Sequence, residues 1–198
     1  MDLTTRETAV YAEALSLPQY AEYAPGERFA QVFAELADPP PATVLDAGCG
    51  TGKGMLALAA LGYDVVGCDL TDAGLVPEAQ RFSVHAGVAL WRPLPQLRGE
   101  MWPRASRRYD YVYCTDVLEH LPPPFTMLAV ARLLEVAAKG VFLSIALVPD
   151  QMGVWVGRPL HLSVRSYLDW LTDLRELATV REARDLGTTG LYFLEPSR

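Results

Sequence analysis

The chain has 198 residues, 51% of them apolar and 21% charged, with a formal net charge of −7. That length suits one well-buried domain and is short for two, so residues 1–198 are expected to form a single domain. The acidic balance argues against a bulk polyanion such as duplex DNA, a local basic patch aside, and nucleic acid is not an expected partner.

The opening MDLTTRETAV lacks the charged-then-apolar pattern of a secretory signal. The longest apolar run, Val141–Val148, is too short for a bilayer, so no membrane span and a cytoplasmic location are expected. Residues 4–24 read as a helical stretch broken by Pro18 and carrying Tyr11, Tyr20 and Tyr23. A second helix places Phe29, Val32, Phe33, Leu36 and Ala37 on one face and stops at Asp38 and the prolines 39–41. Residues 1–38 thus form a helical segment ahead of an α/β core, 42–198.

Thr43–Asp46 has the β-branched, apolar pattern of a buried parallel strand. Gly48, Gly50 and Gly52 follow, and Lys53–Leu61 reads as a helix stopped by Gly62. Strand, glycine turn and helix open a nucleotide-binding α/β sheet, and the glycines let a ligand lie against the backbone. The spacing is not that of a dinucleotide fingerprint, because Lys53 stands where G-x-G-x-x-G needs its third glycine. It is not a P-loop either, lacking the upstream glycine and the Ser or Thr after the lysine.

Asp64–Asp69 is the second strand and ends in an acid, with Thr71–Ala79 expected as a helix capped by Asp72. Val84–Leu90 is the third strand. Arg92–Arg108 is irregular, with Pro93, Pro95, Gly99 and Pro103, and basic through Arg92, Arg98, Arg104, Arg107 and Arg108 around Trp102. Such a run is a solvated loop, a grip on a small anion, or a nucleic-acid track. Tyr109–Cys114 is the fourth strand, Phe125–Ala138 a helix, and Gly140–Val148 the fifth strand. After the loop Pro149–Leu162, Ser163 caps a helix bearing Val164, Tyr167, Leu168, Leu171 and Leu174. Thr179–Leu186 and Leu191–Leu194 read as a closing hairpin. Cys49, Cys68 and Cys114 form no CxxC pair and read as small buried hydrophobes in a reducing compartment.

Two blocks resemble class I S-adenosylmethionine-dependent methyltransferases. VLDAGCGTG, with Asp46, Gly48, Gly50 and Gly52, resembles the family's strand running into DxGxGxG. YDYVYCTDVLEHLPP resembles the later block, (F/Y)DxV running into D-x-L-E-H-(V/L). The resemblance implies a Rossmann-like, seven-stranded, mostly parallel sheet with a C-terminal antiparallel hairpin and helices on both faces. It implies S-adenosyl-L-methionine as donor and S-adenosyl-L-homocysteine as product. Donor contacts would come from Asp46, Gly48, Cys49, Gly50 and Gly52, from Asp69 on the ribose diol, and from Leu70 against the adenine. Thr115 and Asp116 would flank the methionine part. The acid that family members commonly carry after the third strand is replaced by Leu90, Trp91 and Arg92, so Trp91 either walls the adenine or covers the sheet edge.

The acceptor is expected among Tyr11, Tyr20 and Tyr23 of the helical segment and Trp155 and Arg158 of the loop after the fifth strand. Arg158 would favour a carboxylate or phosphate. His161 is the preferred general base and His120 the second candidate, on one helical face with Asp116. No residues stand at metal-ligand spacing, so no metal is expected. A small-molecule acceptor is the leading reading. The alternatives are a nucleic-acid or protein methyltransferase working through the 92–108 loop, and a non-catalytic S-adenosylmethionine-binding protein.

Overall fold

The computed structural model describes residues 2–18, 25–92 and 109–197. Seven strands form one sheet: β1 (Thr43–Ala47), β2 (Asp64–Asp69), β3 (Val84–Ala86), β4 (Tyr109–Thr115), β5 (Ala137–Ala146), β6 (Thr179–Asp185) and β7 (Thr189–Glu195). Their order is β3-β2-β1-β4-β5-β7-β6. β1 runs parallel to β2, β2 to β3, and β4 to β5, whereas β7 is antiparallel to both β5 and β6. This is the expected mostly parallel sheet with its closing hairpin. The α-helices described are α1 (Leu3–Ser16), α2 (Pro25–Leu36), α3 (Lys53–Ala60), α4 (Pro123–Val136) and α5 (Tyr167–Leu177). None of the described helices is long and apolar enough to cross a membrane.

The chain groups into two compact units, Met1–Ala89 with Asp150–Leu160, and Leu90–Pro149 with His161–Arg198. In the first, Val44, Leu45, Met55, Leu58 and Phe33 are buried, and the Phe33 and Tyr63 rings lie 5.3 Å apart. In the second, Tyr113 stacks on Phe142 at 5.3 Å, and Leu133, Trp170, Tyr192 and Phe193 fill the remainder. Burying each large apolar side chain contributes about 1.5–3 kcal/mol. The three cysteines are free and buried, as expected.

Several local expectations give way to tertiary contacts. Thr71–Ala79 is not an α-helix, and only a short 3-10 turn forms at Pro77–Arg81. Its backbone is committed elsewhere: the Thr71 N–H donates to Asp69, the Val76 N–H to the Thr51 carbonyl, and Leu15 crowds Gly74. β3 stops at Ala86 rather than Leu90, because Gly87 turns at φ +80° and the Gly87 and Val88 N–H groups donate to Leu70 and Asp69 carbonyls. α4 begins at Pro123, where a missing N–H costs nothing, and runs straight into β5. The α5 cap is Ser166, not Ser163, and Asp169 completes a capping box. Ser163 is buried and donates its hydroxyl to the Leu121 carbonyl at 2.6 Å. DVLEH forms only a 3-10 turn, Leu118–His120, after Asp116 at φ +51°, so Asp116 and His120 share no helical face.

The glycine turn makes a sharp test. Gly48, Gly50 and Gly52 all have positive φ (+83°, +47° and +76°). A Cβ on Gly52 would also approach the Ala79 Cβ to 2.5 Å, whereas one on Gly50 would meet nothing nearer than Leu15 at 3.7 Å. Gly52→Ala is therefore expected to cost about 2–5 kcal/mol in strain and overpacking, and Gly50→Ala about 1–2 kcal/mol of strain alone, as read by urea unfolding.

Candidate active site

β1 and β2 deliver two carboxylates beside the glycine turn. The Gly48 and Cys49 N–H groups donate to the Cys68 carbonyl at 2.8 and 3.1 Å, which ties the turn to the end of β2. One Asp69 oxygen accepts the Gly50 N–H at 2.9 Å and the other accepts the Thr71 N–H at 3.3 Å. A carboxylate offers about four acceptor positions, so it can also take ribose hydroxyls. Burial raises the Asp69 carboxyl above its ordinary range, and these backbone donors oppose the rise. Asp46 is 2% exposed, and burial, aided by the Asp69 charge, lifts it from 3.8 to about 7. Gly54 lets the Asp46 carboxylate overlie α3, since a Cβ there would stand 2.9 Å from Oδ2. A buried and a half-buried carboxylate that repel one another favour a cationic ligand. Cys49 and Cys68 are held as neutral thiols by burial and the same acids. Leu70 is half-buried directly after Asp69.

α1 lies against this turn. Leu15 is buried and is the nearest side chain to where a Gly50 Cβ would stand. Glu7, Tyr11 and Leu15 recur at every fourth residue, so half-buried Tyr11 falls on the stripe between two buried residues. Glu7, 3% exposed, takes a bidentate pair from Arg158 at 3.1 and 2.9 Å. The Arg158 charge expected to meet an acceptor anion is thus engaged by Glu7, and it fastens the 150–160 loop to α1. Asp150 closes that loop by accepting the Gly153 N–H and, at 2.7 Å, the Leu160 N–H. Trp155 is 55% exposed on a 3-10 turn. Tyr20, Tyr23 and the loop residues 93–108 lie outside the described residues.

In the second unit, Thr115 ends β4 beside Ser144, and the Ser144 hydroxyl donates to Asp116 at 3.0 Å. Trp91 is buried. Glu119 is fully buried and organises both ends of the segment after β5. Its Oε1 accepts the Ala146 N–H at 2.8 Å, and its carbonyl accepts the Leu162 and Ser163 N–H groups, each at 2.8 Å. Burial and the Asp116 charge raise the Glu119 carboxyl well above its ordinary range. This clamp brings His161 to His120, with ring centroids 4.7 Å apart and edge-on. The His161 Nδ1–H donates to the Val148 carbonyl at 2.6 Å, so Nε2 carries the lone pair. Both preferred histidines therefore occupy one place.

Glu7, Leu15, Asp150 and Glu119 were not among the expected site residues. Only Glu119 had a local signal, its place inside the DVLEH block. The Glu7–Arg158 pair spans 151 residues and leaves no pattern in the sequence.

The chain is 34% identical over 102 residues to a ubiquinone biosynthesis O-methyltransferase from Bordetella avium, covering 51% of this chain and 41% of that protein. It is 32% identical over 117 residues to a magnesium-protoporphyrin O-methyltransferase from Synechocystis, covering 59% and 49%. It thus spans less than half of either curated relative. The crystal structure of Synechocystis magnesium protoporphyrin IX methyltransferase with bound SAM matches 100% of this chain and 85% of that one, at TM-score 0.59 and 19% identity. That of Burkholderia thailandensis 1,6-didemethyltoxoflavin-N1-methyltransferase, with bound 1,6-didemethyltoxoflavin and S-adenosylhomocysteine, matches 100% and 92% at TM-score 0.69 and 17% identity. The family model described as a methyltransferase domain matches residues 20–186, most of the sequence, and the chain belongs to that family.

Proposed function

We propose that the protein is an S-adenosylmethionine-dependent methyltransferase acting on a small organic acceptor. The observation that carries this is Asp69 bonded to the Gly50 N–H across a positive-φ glycine turn, with buried Asp46 beside it. A sulfonium donor with an ammonium group relieves the two carboxylates, whereas a pyrophosphate such as that of NAD would be repelled by them. Asp69 holds the ribose diol, Leu70 lies against the adenine, and Gly48, Cys49, Gly50 and Gly52 admit the donor close to the backbone. Thr115 and Asp116 hold its methionine end. Tyr11, Tyr20, Tyr23 and Trp155 supply aromatic surface for the acceptor, and Arg158 acts as the fastener of the loop. The acceptor's attacking atom forms a bond to the methyl carbon as the carbon–sulfur bond breaks, which discharges the sulfonium. His161, through Nε2, removes any proton the acceptor must lose, with His120 beside it.

Oxygen is the attacked atom that the two curated relatives' names support. The three buried thiols agree with a cytoplasmic setting. Calorimetry with S-adenosylmethionine, S-adenosylhomocysteine and NAD tests the donor, and NAD binding with no response to the methyl donor would overturn the assignment. A screen of phenols and carboxylic acids, read by mass for one added methyl group, tests the acceptor. Donor binding without turnover on any acceptor class would instead support a non-catalytic binding protein.

Asp46 predicts the pH response. Its folded value of about 7 lies above its ordinary 3.8, so the folded state binds the proton more tightly. The associated stability is present below the ordinary value and is lost as the pH rises through about 7. In the free protein, unfolding stability is expected to fall across this window, by no more than about 4 kcal/mol, and Asp46→Asn should flatten that fall. A cationic donor reverses the sign, because it favours the ionised carboxylate. Donor affinity should therefore rise through the same window, with proton release visible as a buffer-dependent binding enthalpy that Asp46→Asn abolishes.

A further inference from the structure

We propose that Glu119, His120 and His161 form a binding site for a divalent first-row transition cation of the zinc class. One ligand atom from each lies within 4.8 Å of the others. Glu119 is 0% exposed, and while Oε1 is committed to the Ala146 N–H, its buried Oε2 has no hydrogen-bond partner. A carboxylate oxygen left in this state next to two imidazoles is a strong position for a cation, since burying an unpaired acceptor is costly. The Val148 carbonyl takes the His161 Nδ1–H at 2.6 Å, which fixes the ring and leaves Nε2 as donor atom. That is the supporting contact metal-bound histidines characteristically make. The two rings meet edge-on, with planes at 90° and centroids 4.7 Å apart.

Two imidazoles and one carboxylate suit zinc and its neighbours rather than magnesium or calcium, which prefer all-oxygen shells. At bond lengths of about 2.0–2.2 Å, tetrahedral ligand atoms stand roughly 3.3 Å apart. The separations, up to 4.8 Å, must therefore close by roughly 1.5 Å at most, through small shifts of the half-buried His120 and His161 side chains toward the buried glutamate. Three protein ligands leave a fourth position for water or an acceptor oxygen. The sequence conceals the set because His161 is distant from the adjacent Glu119 and His120, and only the clamp on Ala146, Leu162 and Ser163 unites them. The inference concerns the second unit alone; it competes with the base role given to His161 Nε2 and leaves the donor-binding reading untouched.

The test uses the full chain, stripped with chelator and titrated with Zn²⁺ by calorimetry and with Co²⁺ by absorption. One ion per chain is expected, with Co²⁺ d–d bands of a low-coordinate site and no thiolate charge-transfer band. Glu119→Gln keeps an oxygen for the Ala146 N–H and should weaken binding by at least roughly 10–100-fold, the scale at which even supporting residues act. His120→Gln and His161→Ala should each do the same. Folding of every variant is checked by circular dichroism and by donor binding. Absence of stoichiometric binding, a thiolate band assigning the ion to cysteine, or unchanged affinity in Glu119→Gln and in the folded histidine variants would each overturn the proposal. All these outcomes leave donor binding to be judged separately.

Discussion

Replacing Asp69 by alanine is expected to weaken S-adenosylmethionine binding by about 3–6 kcal/mol, since it removes two charge-assisted hydrogen bonds at about 1.5–3 kcal/mol each. In affinity that is about two to four powers of ten. The geometry adds to the loss, because Asp69 also accepts the Gly50 and Thr71 N–H groups and so holds the turn the donor must lie on. Stability should change far less. The two released N–H groups destabilise the fold, while removing a carboxylate whose ionisation burial disfavours works the other way. Asp69→Asn keeps one acceptor oxygen and presents an amide to the second backbone donor, so it should fall between wild type and alanine. Calorimetry gives the affinities and urea unfolding the stabilities. An unchanged Kd in Asp69→Ala would remove this residue from the donor site, whatever happened to stability.

Where the determinants are local, the sequence was readable. The run from Thr43 to Ala60 encodes a strand, three positive-φ glycines and a helix within one stretch, and the expected element bounds there differ from the structure by one residue. β2 matches its expected limits, and the closing hairpin lies within a few residues of its own. Readability fails where a distant partner captures a backbone group. Asp72 is a sound helix cap by itself, but the Val76 N–H goes to Thr51 and Leu15 takes the space beside Gly74, so no α-helix follows. Ser163 is likewise a plausible cap until Leu121 accepts its hydroxyl. Asp69 was legible as the acid ending β2, and the structure adds its bond to the Gly50 N–H of the glycine turn. Glu7 was not, since nothing near it in the chain points to Arg158. His161 and His120 stand in the sequence as two separate base candidates, and Glu119 supplies the physical means of their convergence.

Once an acceptor is identified, His161→Ala is expected to lower kcat by about 10²–10⁴-fold, the usual contribution of a positioned base, while the donor Kd stays unchanged. The argument begins at Val148, whose carbonyl takes the Nδ1–H and directs the basic lone pair to Nε2. His120 shares the location as the second candidate, its ring edge-on to that of His161, and His120→Ala is expected to cost less than His161→Ala. Normal turnover in His161→Ala with loss in His120→Ala would transfer the proton to the other ring. Nε2 cannot hold a proton and a cation together, and the two roles separate by chelation. If His161 acts as the base, chelator-treated enzyme keeps full activity, and the kcat loss with its altered pH–rate profile appears only on mutation. If Nε2 ligates a cation that receives the acceptor oxygen, chelation should reproduce the His161→Ala loss, and Zn²⁺ should restore the wild type but not the variant.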